Sequence, residues 1–335
     1  MNEPEKPGTI ATVIQWFALS ENDPPHPCEP DTQAPVWVHV TSSDHHSLDG
    51  LSDRFHLHPL AIEDCFSRMQ LPKVEVYDNV TFIVLHGMHI EEMHRIDFKR
   101  RLNLPLKDVR LHAFIGDGFL LTHSNKNSPA DWMIQEIQAQ RVKTPISPDE
   151  LLYRLCDKLI DDSIALLEVW ENVTTELESR LLYDFTNNTL DMIFQFRRHL
   201  RRIGKIALLE RELFFRLSHE YLVGITPTTR VYFRDAHDHI VRLYEYTATH
   251  RESLSDALEV NLTLIANRTN FITKQLSIAA ALLLPLTVIT GIFGMNFVKM
   301  PWIGEPWGFW ASMFLMFVVV VAMLYYFRKS HWLKK

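Results

Sequence analysis

Eight residues in the last third of the chain have types and spacings that could act together: Glu259, Asn270, Thr273, Ser277, Ala280, Leu284, Thr287 and Gly291. After a first step of 11, the spacings alternate between 3 and 4, which keeps residues on one stripe of a helix. From Gln275 to Val298 the stripe runs through 24 residues without Asp, Glu, Lys or Arg. Polar atoms in hydrocarbon are costly, so they face a bundle interior or a water-filled path. Small residues equally let helices approach closely, and spacing alone supports pore and packing alike. Gly294-Met295-Asn296 follows, where glycine and asparagine can end a helix through left-handed residues. Two histidine pairs, "HLH" at 56 to 58 and "HDH" at 237 to 239, are metal-ligand types on a chain with 17 His. His237 and Asp238 would suit a metal phosphohydrolase only with further His and Asp at defined helical positions; otherwise they are ordinary surface or packed side chains. No Gly-rich phosphate loop, Ser/His/Asp set or nucleotide motif is visible, so neither an enzyme nor an ATP-driven pump is expected.

The elements that must position these groups can be read from composition. The chain has 335 residues, 22% charged, with a formal net charge of −7, which argues against non-specific nucleic-acid binding. Besides Gln275–Val298, the 22 residues Pro306–Phe327 lack charge. Each run can cross a hydrocarbon core of about 30 Å as a helix. The basic end "FRKSHWLKK", against a connecting loop with only Lys299 and Glu305, places the C-terminus in the cytoplasm and the loop outside. Two spans then leave the large N-terminal part cytoplasmic as well. Trp302, Trp307, Trp310, Tyr325, Tyr326 and Trp332 bracket the second span as interfacial belts do. The first ten residues show no secretory signal, and Cys28, Cys65 and Cys156 form no CxxC pair, which fits a reducing compartment.

Residues 9 to 125 predict a sheet with helices packed on it. Strand-like runs are "TIATVIQWFAL", "APVWVHVT", "VTFIVLHGMHI" and "GFLLTHS", with a short helix in "HPLAIEDCFS" and a Pro-rich loop over 22–35. Ser147 and Pro148 open a long helix with an acidic side from Asp157 to Glu178. The next helix, 189 to 217, is basic in its first half, through Arg197, Arg198, Arg201, Arg202 and Lys205. Charge pairing between these two helices accounts for both faces; the sharper alternative is that the acids face a cation path. Between Pro227 and Pro285 lie 57 residues with neither Gly nor Pro, enough for one helix of roughly 85 Å. Such a helix cannot stand alone, so an oligomer is expected. The fold class is an α+β membrane protein: an N-terminal cytoplasmic α/β domain, long stalk helices and two C-terminal transmembrane helices. The expected divisions are 1–146 (α/β domain), 147–226 (paired helices), 227–295 (stalk helix continuing into the first span), 296–307 (external loop), 308–327 (second span) and 328–335 (basic tail).

With "GMN" at the outer end of a first span before a short loop and a second span, the chain resembles the CorA family of divalent-cation channels. Three further stretches carry the likeness: "HPLAIEDCFSRMQLPKVEVYDNVTFIVLHGMH", "YFRDAHDHI" and "LPLTVITGIFGMNFVKMPW", the last written with MPLTVITGIFGMNF in the family's usual wording. The resemblance implies a homopentamer in the cytoplasmic membrane that admits Mg²⁺, with Co²⁺ or Ni²⁺ as further cargo, gated by cytoplasmic divalent ions. It implies an outer selectivity ring at Gly294, Met295 and Asn296. Gly291, Thr287 and Leu284 would line the pore below it. Asn270, Thr273 and Leu276 match the inner constriction, with Leu276 as a hydrophobic gate, and Glu259 matches an acidic ring at the neck. Asp235 matches a regulatory metal position between protomers, with Glu91 as partner carboxylate. The partners implied are divalent cations, membrane lipid and copies of the chain. Leu284 replaces a frequent Met, and the loop after GMN, which carries acidic residues in typical magnesium members, has Lys299 as its nearest charge and Glu305 as its only acid. A Zn²⁺-transporting branch, with or without proton coupling, is therefore the alternative. A membrane-anchored sensor that conducts nothing is a further one.

Overall fold

The computed structural model describes residues 12–20, 22–32, 35–67, 70–90, 106–124, 127–183, 185–295 and 305–330. The chain divides into two compact units, Met1–Ala257 and Leu258–Lys335.

The first unit is built on a seven-stranded sheet. Its strands are β1 (Val13–Ala18), β2 (His26–Pro27), β3 (Val36–Thr41), β4 (Lys73–Tyr77), β5 (Val80–Ile90), β6 (Leu106–Gly116) and β7 (Phe119–Ser124). The spatial order is β2-β1-β3-β7-β6-β5-β4, antiparallel throughout except between β3 and β7. β3 is buried at every residue, as a strand covered on both faces must be. Two tight turns make the hairpins: Asp78 at φ 49° joins β4 to β5, and Gly118 at φ 76° joins β6 to β7. β4 and β6 were not expected from the sequence. β4 has only five residues, and β6 opens with Lys107, Asp108 and Arg110 before its apolar half.

Helices cover both faces of the sheet. On one lie α1 (Asp49–Phe55) and α2 (Pro59–Phe66), whose Leu51, Phe55, Ala61 and Cys65 pack with Val38, Val40, Phe82, Val84, Phe114 and Leu121. α2 begins where His58 Nδ1 accepts from the Leu60 N–H at 3.2 Å, with Pro59 at the first helical position. On the other face lie α3 (Pro129–Gln138) and α4 (Pro148–Tyr183). α3 carries a capping box between Ser128 and Asp131, which marks its start. Gly87 lets α4 come close: a Cβ there would lie 2.5 Å from Leu159 Cγ.

α5 (Asn187–His219) starts on a Thr186 cap and packs Ile193, Phe196, Leu200, Ile203 and Phe214 inward. The expected charge pairing of α4 with α5 is not what holds them. Among the described residues, α4 pairs its acids within itself, Lys158 to Asp162 at 2.5 Å and Arg180 to Glu176 at 2.6 Å. On α5, Arg202 pairs instead with Asp108 of β6. Side chains four apart on one helix meet at little entropic cost, and the buried seam between the helices is apolar.

α6 runs from Pro227 to Phe293, 67 residues, and α7 from Gly308 to Lys329, 22 residues. Asp149, at the start of α4, accepts from Thr226 N at 3.0 Å and from Thr226 Oγ1 at 2.6 Å, tying the first turns of α4 and α6 together. Burial alone would raise this carboxyl, but hydrogen bonds from Ser147 and Thr226 hold it below its usual range. The helix continues through Pro285, which has no N–H to give to the carbonyl one turn earlier.

Candidate cation path and acidic site

In the second unit, α6 and α7 are the two helices long and apolar enough to cross a membrane, and almost none of either apolar stretch is buried within the chain. Their exposure is nonetheless uneven. On α6 the more covered side chains are Ile278, Ala281, Leu282, Pro285, Leu286, Ile289 and Phe293. Those of α7 are Gly308, Ala311, Ser312, Met316, Val319, Val320, Met323 and Phe327, again on one stripe.

The sequence-predicted stripe is the other face of α6. Glu259, Asn270, Thr273, Ser277, Ala280, Leu284, Thr287 and Gly291 are all exposed. Leu276, which sits between Thr273 and Ala280 at helical spacings of 3 and 4, is 69% exposed, and Leu284 is 66% exposed. A Cβ added at Gly291 would meet nothing within 4 Å, so packing inside the chain does not require a glycine there. Thr287 Oγ1 donates to Leu284 O at 2.8 Å, and Thr290 Oγ1 donates to Leu286 O at 3.0 Å. Each hydroxyl hydrogen is thereby used, and the oxygen keeps lone pairs free to accept. The helix winds up at Gly294 and Met295, whose N–H groups donate to Thr290 O at 2.8 Å and Ile292 O at 3.3 Å. Asn296 lies outside the described residues.

In the first unit, Asp235 on α6 lies 3.8 Å from His239 Nε2. Asp157 and Asp161 of α4 belong to the same electrostatic neighbourhood. Burial and then Asp161, with a further contribution from Asp235, push the Asp157 carboxyl up. Tyr153 donates to Asp157 Oδ1 at 3.3 Å, and burial followed by the charges of Asp157 and Asp235 pushes this phenol up to about 12. Asp161 and Asp235 thus raise the proton affinity of Asp157 across α4 and α6, and a cation among the three would relieve that repulsion. Sequence reasoning had named Asp235 but treated Asp157 and Asp161 only as part of a general acidic side. Their i, i+4 spacing was the available signal. Glu91 lies outside the described residues. His237 and Asp238 are neighbours at 3.4 Å, with Asp238 well exposed. They belong to no group of three metal-ligand side chains among the described residues.

A family model described as "CorA-like Mg2+ transporter protein" matches residues 32–329. The chain belongs to the CorA family. It is 32% identical over 310 residues to the cobalt/magnesium transport protein CorA of Thermotoga maritima, covering 90% of this chain and 85% of that one. It is 22% identical over 303 residues to the zinc transport protein ZntB of Yersinia pestis, covering 89% of this chain and 88% of that one. Among solved structures, the complete CorA magnesium transporter of Methanocaldococcus jannaschii superposes with a TM-score of 0.80 at 23% identity, covering 97% of this chain and 100% of that one. The CorA fold thus extends over both units, and the chain is a divalent metal ion transporter of this family, with two C-terminal helices able to cross a membrane.

Proposed function

We propose that five copies of this CorA-family chain surround a central path lined by α6, through which hydrated Mg²⁺ passes down its electrochemical gradient. One observation carries the reading: the small and polar stripe from Asn270 to Gly291 is the open face of α6, and the more covered face is apolar. A polar stripe facing lipid would be costly, whereas facing copies of itself around water it is satisfied. Mg²⁺ holds its waters in an octahedral shell, so neutral oxygens that hydrogen-bond those waters suit it better than carboxylates that would trap it. Thr287 presents such an oxygen, and Asn296 would supply five amide carbonyls at the outer mouth beside Gly294 and Met295. Five Leu276 side chains would close the inner constriction by excluding water, with Asn270 and Thr273 beside them and Glu259 as an acidic ring below. The positive-inside bias of the C-terminal residues puts both termini, and the divisions 1–146 and 147–226, on the cytoplasmic side. There Asp235, with Asp157 and Asp161 beside it and Glu91 of a neighbouring copy, would hold a divalent ion that stabilises the closed ring. Co²⁺ and Ni²⁺ are further cargo.

The deciding experiment is flux into liposomes by the purified protein, with Mg²⁺, Co²⁺ and Zn²⁺ compared in the presence and absence of a pH gradient. Mg²⁺ uptake independent of the pH gradient is expected. Zn²⁺ uptake that requires a proton gradient, without Mg²⁺ uptake, would replace this reading with the zinc-transporting one.

A further inference from the structure

Inside the sheet-and-helix layer of the first unit, three metal-ligand side chains converge. His112 of β6 and His123 of β7 stand directly opposite each other as a cross-strand pair. Cys65 reaches the same place from α2, which covers that face of the sheet. One ligand atom from each of the three lies within 4.8 Å of the others, the one such cluster among the described residues. All three side chains are buried, at 6%, 3% and 2% exposure for Cys65, His112 and His123.

The hydrogen bonding shows which lone pairs are available. His123 Nε2 lies 3.1 Å from the Ser42 carbonyl, which can only accept, so this nitrogen carries the proton and Nδ1 presents a lone pair. His112 Nδ1 lies 3.3 Å from His123 Nδ1. Two nitrogens bound to one tetrahedral Zn²⁺ at about 2.0–2.1 Å are themselves separated by about 3.3 Å, the same spacing. His112 Nε2 has no hydrogen-bond partner. His39, on β3, is the useful contrast. Both its ring nitrogens are satisfied, Nδ1 by Thr122 at 2.8 Å and Nε2 by Thr41 at 3.1 Å. His39 is a completed core histidine, and the His112–His123 pair is not completed by the protein alone.

We propose that Cys65, His112 and His123 bind a borderline-soft divalent ion of the Zn²⁺ class, one per protomer, in the interior of the first unit. The donor set of one sulfur and two imidazole nitrogens suits Zn²⁺ and Co²⁺, and it rejects the hard, oxygen-seeking Mg²⁺. The Ser42 carbonyl behind His123 fixes ring orientation as outer-shell partners of metal-bound histidines do. Binding would displace the Cys65 thiol proton, which leaves to solvent as the metal–sulfur bond forms, with a water completing a four-coordinate shell. The site shares no residue with the proposed path, so it would respond to Zn²⁺-class ions whichever ion that path conducts.

The test uses the full-length protein, stripped of metal in detergent and titrated with Co²⁺. One Co²⁺ per protomer with a thiolate-to-Co²⁺ charge-transfer band, displaced by Zn²⁺ and untouched by excess Mg²⁺, is expected. Cys65→Ser should lose the band and weaken binding more than about 100-fold, while Cys28→Ser keeps both. A wild-type protein without the band, or a band that survives in Cys65→Ser, overturns the site. A second measurement needs no variant. In mild denaturant, Zn²⁺ should slow alkylation of Cys65 well beyond any slowing at Cys156. Equal slowing at both cysteines, or none at Cys65, overturns the proposal.

Discussion

The two units solve the problem of polar groups in opposite ways. In the first, many buried polar groups find partners within the chain, although His112 Nε2 and some others do not. Trp37 Nε1 donates to Thr122 Oγ1 at 2.9 Å, Thr81 Oγ1 donates to the Val223 carbonyl at 2.8 Å, and Asp149 gathers the starts of two helices. In the second, the Thr287 and Thr290 hydroxyls turn back onto their own helix while Leu276, Leu284 and the polar stripe stay open. A unit whose apolar core closes within the chain can fold as a protomer. The proposed function covers the apolar surface of the second with lipid and its polar stripe with copies of the chain. On the proposed function the cation path lies on the second unit, and the first carries the regulatory carboxylates.

That contrast can be broken most severely at the outer end of α6. Asn296→Ala is expected to reduce Mg²⁺ flux in liposomes to background while the oligomer survives size-exclusion chromatography, because only the amide ring is lost. Unchanged flux would remove the selectivity assignment. Leu276→Gly is the opposite perturbation. It should wet the constriction and leave current flowing at millimolar-range internal Mg²⁺ concentrations that close the wild type. Current that still closes fully would move the gate elsewhere, with Leu284 next.

A smaller effect is expected in the first unit, where Asp235→Ala should shift inhibition by internal Mg²⁺ several-fold to higher concentration without changing maximal flux. An unshifted curve would mean that this carboxylate takes no part in sensing. The smallest effect concerns a group whose partnering is incomplete even there. Glu210 is buried beside a cavity of about 10 Å³ and accepts from the His86 N–H at 3.1 Å. Burial raises its carboxyl to about 8. Its folded pKa therefore lies above the unfolded value, and between the two the native state holds the extra proton. Its contribution is complete at low pH and is lost as pH rises toward and through 8. Glu210→Gln keeps the acceptor oxygen without the charge. It should match the wild type in thermal unfolding at pH 5 and exceed it at pH 9 by a Tm on the order of 5 °C. Parallel pH profiles would show that Glu210 is not a buried neutral acid.

Read as a sequence, the chain already determined its C-terminal third and the start of its first long helix. The uncharged runs Gln275–Val298 and Pro306–Phe327 are long enough for a bilayer, the 3-and-4 spacing from Asn270 to Gly291 makes a stripe, and Ser147-Pro148 opens a helix. These signals were legible because helical hydrogen bonds and side-chain faces depend on residues within four positions of one another. The helix passing through Pro285 extends that logic, since the lost bond is one among many along 67 residues. The sheet order, the parallel pairing of β3 with β7, and the short strand β4 were decided only in three dimensions, because strands find partners far along the chain. The same holds for the partners of the acidic side of α4, whose repulsion with Asp235 needs α6 beside it. It holds most of all for Cys65, which looked like a scattered thiol until α2 was laid over the strands that carry His112 and His123. Local periodicity writes a helix and its faces; convergence of distant side chains exists only once the layers have packed.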